Sequence, residues 1–187
     1  MRNAPICRLP RRLALTGLAL GAALASTHCE RGADAPAAAA AAGCCELTPN
    51  AQLPEGLGRI VVRYPGDGGA ESTRLEVYAT GDASQALGTE YGDAALELNA
   101  GTYDVTVGGQ RVAGVGVQVG HDTRIRVGVL HMHASDGTRV DLFDQNGATL
   151  TGGYGEDLYG FPIGPVVIQI AGRRETTLIE DDEVTEF

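Results

Sequence analysis

The chain has 187 residues with 14 basic and 24 acidic side chains, a formal charge of −10 and no Trp. Every basic residue is Arg, and an acidic chain without clustered positive charge is a poor partner for nucleic acid, where binding rests on phosphate neutralisation. Hydrophobic residues make up 43% and charged residues 20%, which excludes a disordered polyelectrolyte, while 27 Gly among many Val and Thr predict short strands joined by turns.

Arg2, Arg8, Arg11 and Arg12 precede an uncharged stretch, LALTGLALGAALAS over 13–26, which has the layout of a secretory signal peptide. It is shorter than the ~20 apolar residues of a membrane span. Ala23-Leu24-Ala25 places cleavage after Ala25, so residues 1–25 read as a signal helix whose removal takes the charge from −10 to −14. Ser26-Thr27-His28-Cys29 resembles in part the box that ends a bacterial lipoprotein signal, with His28 where Gly or Ala is expected. Cys29 is therefore a candidate lipidation site, and a lipid anchor and free secretion both stand open. The polar stretch 30–34 and the Ala run 37–42 predict an Ala-rich disordered linker over 26–57. Cys44 and Cys45 fall in it, as tether residues, a vicinal pair or links to partners.

After the linker the sequence repeats. Residues 73–78 (TRLEVY) align with 138–143 (TRVDLF), 87–92 with 150–155, 98–101 with 161–164, and 122–125 with 184–187, at offsets of 65, 63, 63 and 62. Two tandem units follow, 58–125 and 126–187. Tyr103, Val105 and Val107 alternate with Thr102, Asp104 and Thr106, the period-two pattern of a half-buried strand, and Leu75, Val77 and Ala79 alternate likewise. Gly108-Gly109 and Asn146-Gly147 signal two-residue type I′ hairpins, and Gly114 and Gly116 mark a bulge or a close backbone approach. No segment after residue 58 carries a helical period. The fold class expected is all-β, two tandem small antiparallel β-sandwich units behind the signal helix and linker. A unit of about 60 residues buries little alone, so the two are expected to pack or share an edge.

Residues 98–109, LNAGTYDVTVGG, resemble the signature of the PEGA and carboxypeptidase-regulatory-like domains, in which an apolar residue, a small spacer and Gly-x-Tyr lead into an alternating strand. The second unit departs from it, with Pro165 and Val166 after Gly164. The resemblance implies a prealbumin-type β-sandwich serving as a non-catalytic module of secreted or envelope proteins.

Chemistry-bearing motifs are few. There is no G-x-S-x-G, phosphate loop or H-E-x-x-H, and no cofactor is expected. His131 and His133 are two apart, so on a strand both imidazoles face one side and could meet one metal ion, with His121, Asp122 and Asp136 as further ligands if loops converge. Asp144-Gln145-Asn146-Gly147 opens like a calcium loop but lacks the downstream Glu, which favours a turn. The acidic run 180–183 reads as a solvated hairpin tip or a weak calcium site.

The reading that results is an exported, non-enzymatic cell-envelope protein, periplasmic, outer-membrane-anchored or extracellular. Its partner is an unknown protein or envelope polymer, not nucleic acid, and it meets the membrane only through a possible lipid at Cys29. Tyr64, Tyr78, Tyr91, Tyr154 and Tyr159 could offer a contact surface. The alternatives are a metal- or calcium-dependent binding protein using His131 and His133, and a small outer-membrane barrel ending in Phe187.

Overall fold

The computed structural model describes residues 43–66 and 70–187; the expected signal helix and Cys29 lie outside the described residues. Fifteen strands follow in order, and no helix occurs among the described residues. They are β1 (Cys45–Pro49), β2 (Leu57–Val62), β3 (Arg74–Ala79), β4 (Ala86–Tyr91), β5 (Ala94–Asn99), β6 (Gly101–Val107), β7 (Gln110–Val117) and β8 (His121–Ile125). The second half gives β9 (Val127–Met132), β10 (Arg139–Phe143), β11 (Thr149–Tyr154), β12 (Asp157–Pro162), β13 (Gly164–Ile170), β14 (Arg173–Ile179) and β15 (Val184–Glu186).

Four small open sheets result, ordered β1-β8-β2-β5, β4-β3-β6-β7, β12-β9-β15 and β11-β10-β13-β14. The repeat read from the sequence is present in the ladders. β2 lies between an antiparallel β5 and a parallel β8, and β9 lies between an antiparallel β12 and a parallel β15. Leu75 faces Val107 as Val140 faces Ile170, and a register shift falls after Val77 and again after Leu142. The pairing is thus not wholly antiparallel. β7 and β14 are followed by crossings to another sheet rather than by hairpins, and the last strand of each repeat enters beside the first in the same direction. None of these ladders closes on itself as the outer-membrane barrel would require.

Buried side chains form two clusters. The first unites Ile60 and Val62 of β2 with Leu75 and Val77 of β3 and Val105 and Val107 of β6; the second unites Leu130 and Met132 of β9 with Val140, Leu142, Phe161 and Ile168. β9 serves both, because Val127 and Val129 belong to the first cluster while Leu130 and Met132 belong to the second. The halves also meet where the Gly160 backbone lies against side chains of the first half. The Gly160 N–H donates to Thr73 Oγ1 at 2.9 Å, and a Cβ on Gly160 would overlap the Tyr64 ring. Gly108 and Gly109, at φ of 57° and 83°, make the expected tight turn between β6 and β7.

Several expectations need correction. The linker 26–57 is ordered at its C-terminal end, since β1 pairs antiparallel with β8 from Cys45 opposite Ile125 to Pro49 opposite His121. The edge of β8 away from β2 offers unpaired N–H and C=O groups, and β1 takes them up. Cys44 is accordingly a core residue rather than part of a tether. At Asn146-Gly147 only Gly147 has positive φ, 85°, so no type I′ turn forms. Instead Asp144 Oδ1 accepts the N–H groups of Asn146 (2.8 Å) and Ala148 (2.7 Å) and closes the loop as an Asx turn. The acidic run 180–183 crosses between two sheets and is no hairpin tip. Within it Asp181 accepts from Arg126 Nε at 2.9 Å and Arg124 Nη2 at 3.3 Å.

Asp104 also departs from the alternation, which placed it outward. It is buried at 3% exposure, opposite the β6–β7 bulge, and its carboxylate accepts the N–H of Gly81 at 2.8 Å and of Gly114 at 3.0 Å and pairs with Arg111. Burial pushes its carboxyl up, but the bonds from Gly81, Arg111 and Gly114 together outweigh it and hold the group below the usual carboxylate range.

Candidate metal centre

β9 carries both candidate imidazoles, His131 on the strand and His133 one residue past its end. Their ring centroids lie 4.0 Å apart, as residues two apart on extended backbone allow. The backbone ladder runs on beyond β15, since Phe187 N–H donates to His131 O at 3.0 Å and His133 N–H donates to Phe187 O at 2.8 Å. This clamps Glu186 directly opposite His131. Glu156, in the turn between β11 and β12, approaches the same pair from the other side.

The contacts divide by ring nitrogen. Glu186 Oε2 lies 3.1 Å from His131 Nδ1 and 2.6 Å from His133 Nε2. Glu156 Oε1 lies 3.1 Å from His131 Nε2 and 4.0 Å from His133 Nδ1. One carboxylate therefore holds one nitrogen of each ring, and the remaining nitrogen of each ring turns toward the other carboxylate. One ligand atom each from His131, His133 and Glu156 lies within 4.8 Å of the others. The side chains are accessible, with His133 at 52% and Glu156 at 66% exposure. The hydrogen bond to Glu156 raises the His131 pKa above its ordinary value, burial opposes it, and the Glu186 charge adds to the rise. Glu186 is in turn held low, first by its bond with His133 and then by His131.

Sequence reasoning found the two imidazoles but missed both carboxylates. Nothing in their spacing shows that β15 returns parallel beside β9 or that the β11–β12 turn reaches its end. Two of the three residues named as further ligands are engaged elsewhere. His121 Nδ1 meets Val119 O at 2.8 Å, and Asp122 takes Arg59 Nε at 2.9 Å and Asn50 Nδ2 at 3.0 Å. The Arg59 bond is the main cause holding the Asp122 carboxyl low, with burial opposing and Asn50 adding. Asp136 lies beside Gly155, one residue from Glu156, without joining the ligand group. Of the five tyrosines named for a contact surface, Tyr91 and Tyr154 stand exposed at 59% and 62%, at matching ends of β4 and β11, whereas Tyr64 is buried at 8%.

A polar cleft of about 430 Å³ also runs between the halves, lined by Arg74, Glu76, Gly109, Asp157 and Tyr159. Cys44 and Cys45 stand as thiols at the start of β1.

No family model matches the chain, and no curated protein matches it in sequence. Among solved structures it is similar to the Bacillus anthracis TIE protein, at 14% identity and a TM-score of 0.31, over 70% of this chain and 33% of that one. It is also similar to a leucine-rich repeat protein from Bacteroides thetaiotaomicron, at 16% identity and a TM-score of 0.22, over 70% of this chain and 26% of that one.

Proposed function

We propose that this is an exported, non-enzymatic protein of the cell envelope in which two tandem β-sandwich units act as a binding or scaffold module. The observation that carries the reading is the duplicated strand order, in which each half places one sheet around its first strand and a second, four-stranded sheet beside it. The first buried cluster draws on both sheets of the first half, together with Val127 and Val129 of β9, and the second cluster on both sheets of the second half, which supports sheets paired over a shared core. The segment that resembles the PEGA and carboxypeptidase-regulatory-like signature, 98–109, runs from the end of β5 through β6 into the Gly108-Gly109 turn, a placement in keeping with a strand-leading motif. The charged start, apolar run and small residues up to Ala25 support export, and Cys29 offers a lipid anchor.

The test is to fractionate cells making the full-length chain and take the intact mass of the mature form. A start at Cys29 carrying acyl chains, or a start at Ser26 without lipid, supports the reading. An unprocessed chain starting at Met1 in the cytosol overturns it.

A further inference from the structure

The geometry points to a divalent transition-metal site at the free end of β9, with His131 Nε2, His133 Nδ1 and a Glu156 oxygen as ligands and Glu186 as the carboxylate that orients both rings. The inference goes beyond the envelope-module reading and does not depend on it.

Two imidazoles and a carboxylate form the donor set that suits zinc and its neighbours, and three protein ligands leave a position for water. Tetrahedral zinc with ~2.0–2.1 Å bonds needs donors ~3.3 Å apart. His131 Nε2 and Glu156 Oε1 already stand at 3.1 Å, and His133 Nδ1 at 4.0 Å from the same oxygen closes by a small turn of two exposed side chains. A metal-bound imidazole commonly gives its other N–H to a carboxylate, which fixes the tautomer and aims the ring. Here Glu186 Oε2 hydrogen-bonds His133 Nε2 at 2.6 Å and lies 3.1 Å from His131 Nδ1, within reach of both rings at once.

The repeat supplies an internal control. Strand register maps His131, His133, Glu156 and Glu186 onto Val61, Arg63, Asp93 and Arg124 of the first half. Those residues include an ordinary exposed ion pair, Arg63–Asp93 at 3.8 Å, where the second half has His133 and Glu156. The fold therefore does not require imidazoles or this carboxylate pair at these positions. The three ligands and the orienting carboxylate appear together in one copy, which is what selection for a metal ion would leave. An occupied site would also tie three separated stretches of chain together, β9, the β11–β12 turn and β15.

The experiment titrates the full-length protein with Zn²⁺ by calorimetry, and with Co²⁺ by absorption to tell nitrogen and oxygen ligands from the thiols of the chain. The expected result is one ion per chain, with a Co²⁺ spectrum free of thiolate charge transfer. His133→Ala and Glu156→Gln change exposed residues and should each weaken binding at least ~10-fold, and Glu186→Gln should weaken it ~10–100-fold, the usual cost of losing an orienting partner. Thermal unfolding of the metal-free variants, close to that of the parent, shows that they fold. No heat with Zn²⁺ at ~100-fold the protein concentration, affinity unchanged in His133→Ala, or a thiolate band in the Co²⁺ spectrum would each overturn the site.

Discussion

Replacing Asp104 by Asn should destabilise the fold by an amount that depends on pH in a specified way. The carboxylate is 4% exposed and accepts two backbone N–H groups, from Gly81 and Gly114, while Arg111 pairs with it from a half-exposed position. Hydrogen bonds to a charged acceptor contribute about 1.5–3 kcal/mol each, and the half-exposed Arg adds little after solvent screening. Asn keeps one carbonyl oxygen and so one of the two backbone bonds, but turns an NH₂ toward the other N–H. The expected loss at pH 7 is about 2 kcal/mol, a shift of roughly 1 M in the urea midpoint at an unchanged slope. The folded carboxyl sits below its usual value. A depressed folded pKa means that its stabilisation is complete above the unfolded pKa of ~3.9 and is lost as pH falls through the folded value. The gap between urea curves of parent and variant should therefore narrow as pH falls from 7 to 3, the other carboxylates cancelling in the difference. A gap that stays constant with pH, or no gap at pH 7, would refute the argument.

Gly160→Ala tests the contact between the halves. The new Cβ would overlap Tyr64 and press on Thr73 Oγ1, so overpacking of about 1–3 kcal/mol is expected, read as a lowered urea midpoint. A midpoint within experimental error of the parent would mean that Gly160 does not lie closely against the Tyr64 and Thr73 side chains. Phe161 is fully buried in the second cluster, and Phe161→Ala should cost about 3–5 kcal/mol in the same assay. Since β9 lies in both clusters, tyrosine fluorescence and circular dichroism should report one coincident transition for this variant; two separated transitions would count against coupling of the halves.

Much of the strand pattern was legible because period two and repetition are local signals. Leu75, Val77, Val105 and Val107 alternate in the sequence and are fully buried, and the offsets of 65 and 63 reappear as register between strands. What was not legible depends on pairing across long separations. β1 looked like linker because CELTP carries few apolar residues, and four of its five positions are indeed exposed; it is a strand only because β8 offers it an edge. Asp104 looked solvent-facing because alternation does not see a bulge, which turns the polar side of β6 toward Gly81 and Gly114. At the candidate site the two His were two residues apart and easy to find. Glu156 and Glu186 lie 25 and 53 residues away from their His partners, and no local rule connects them.

β9 carries a wider consequence. A tandem duplication begins as two copies that can each stand alone, and strands on the outer faces of such copies keep one polar side. β9 has instead given its odd-numbered Val127 and Val129 to the first copy and its even-numbered Leu130 and Met132 to its own. Cutting the chain after Ile125 would strip the first copy of two core side chains, and the second copy alone would present those same valines to water. The unit that selection acts on is therefore the pair. Recombination that shuffles single copies between genes would be penalised at this strand, so the duplication is expected to travel through descent as one indivisible segment.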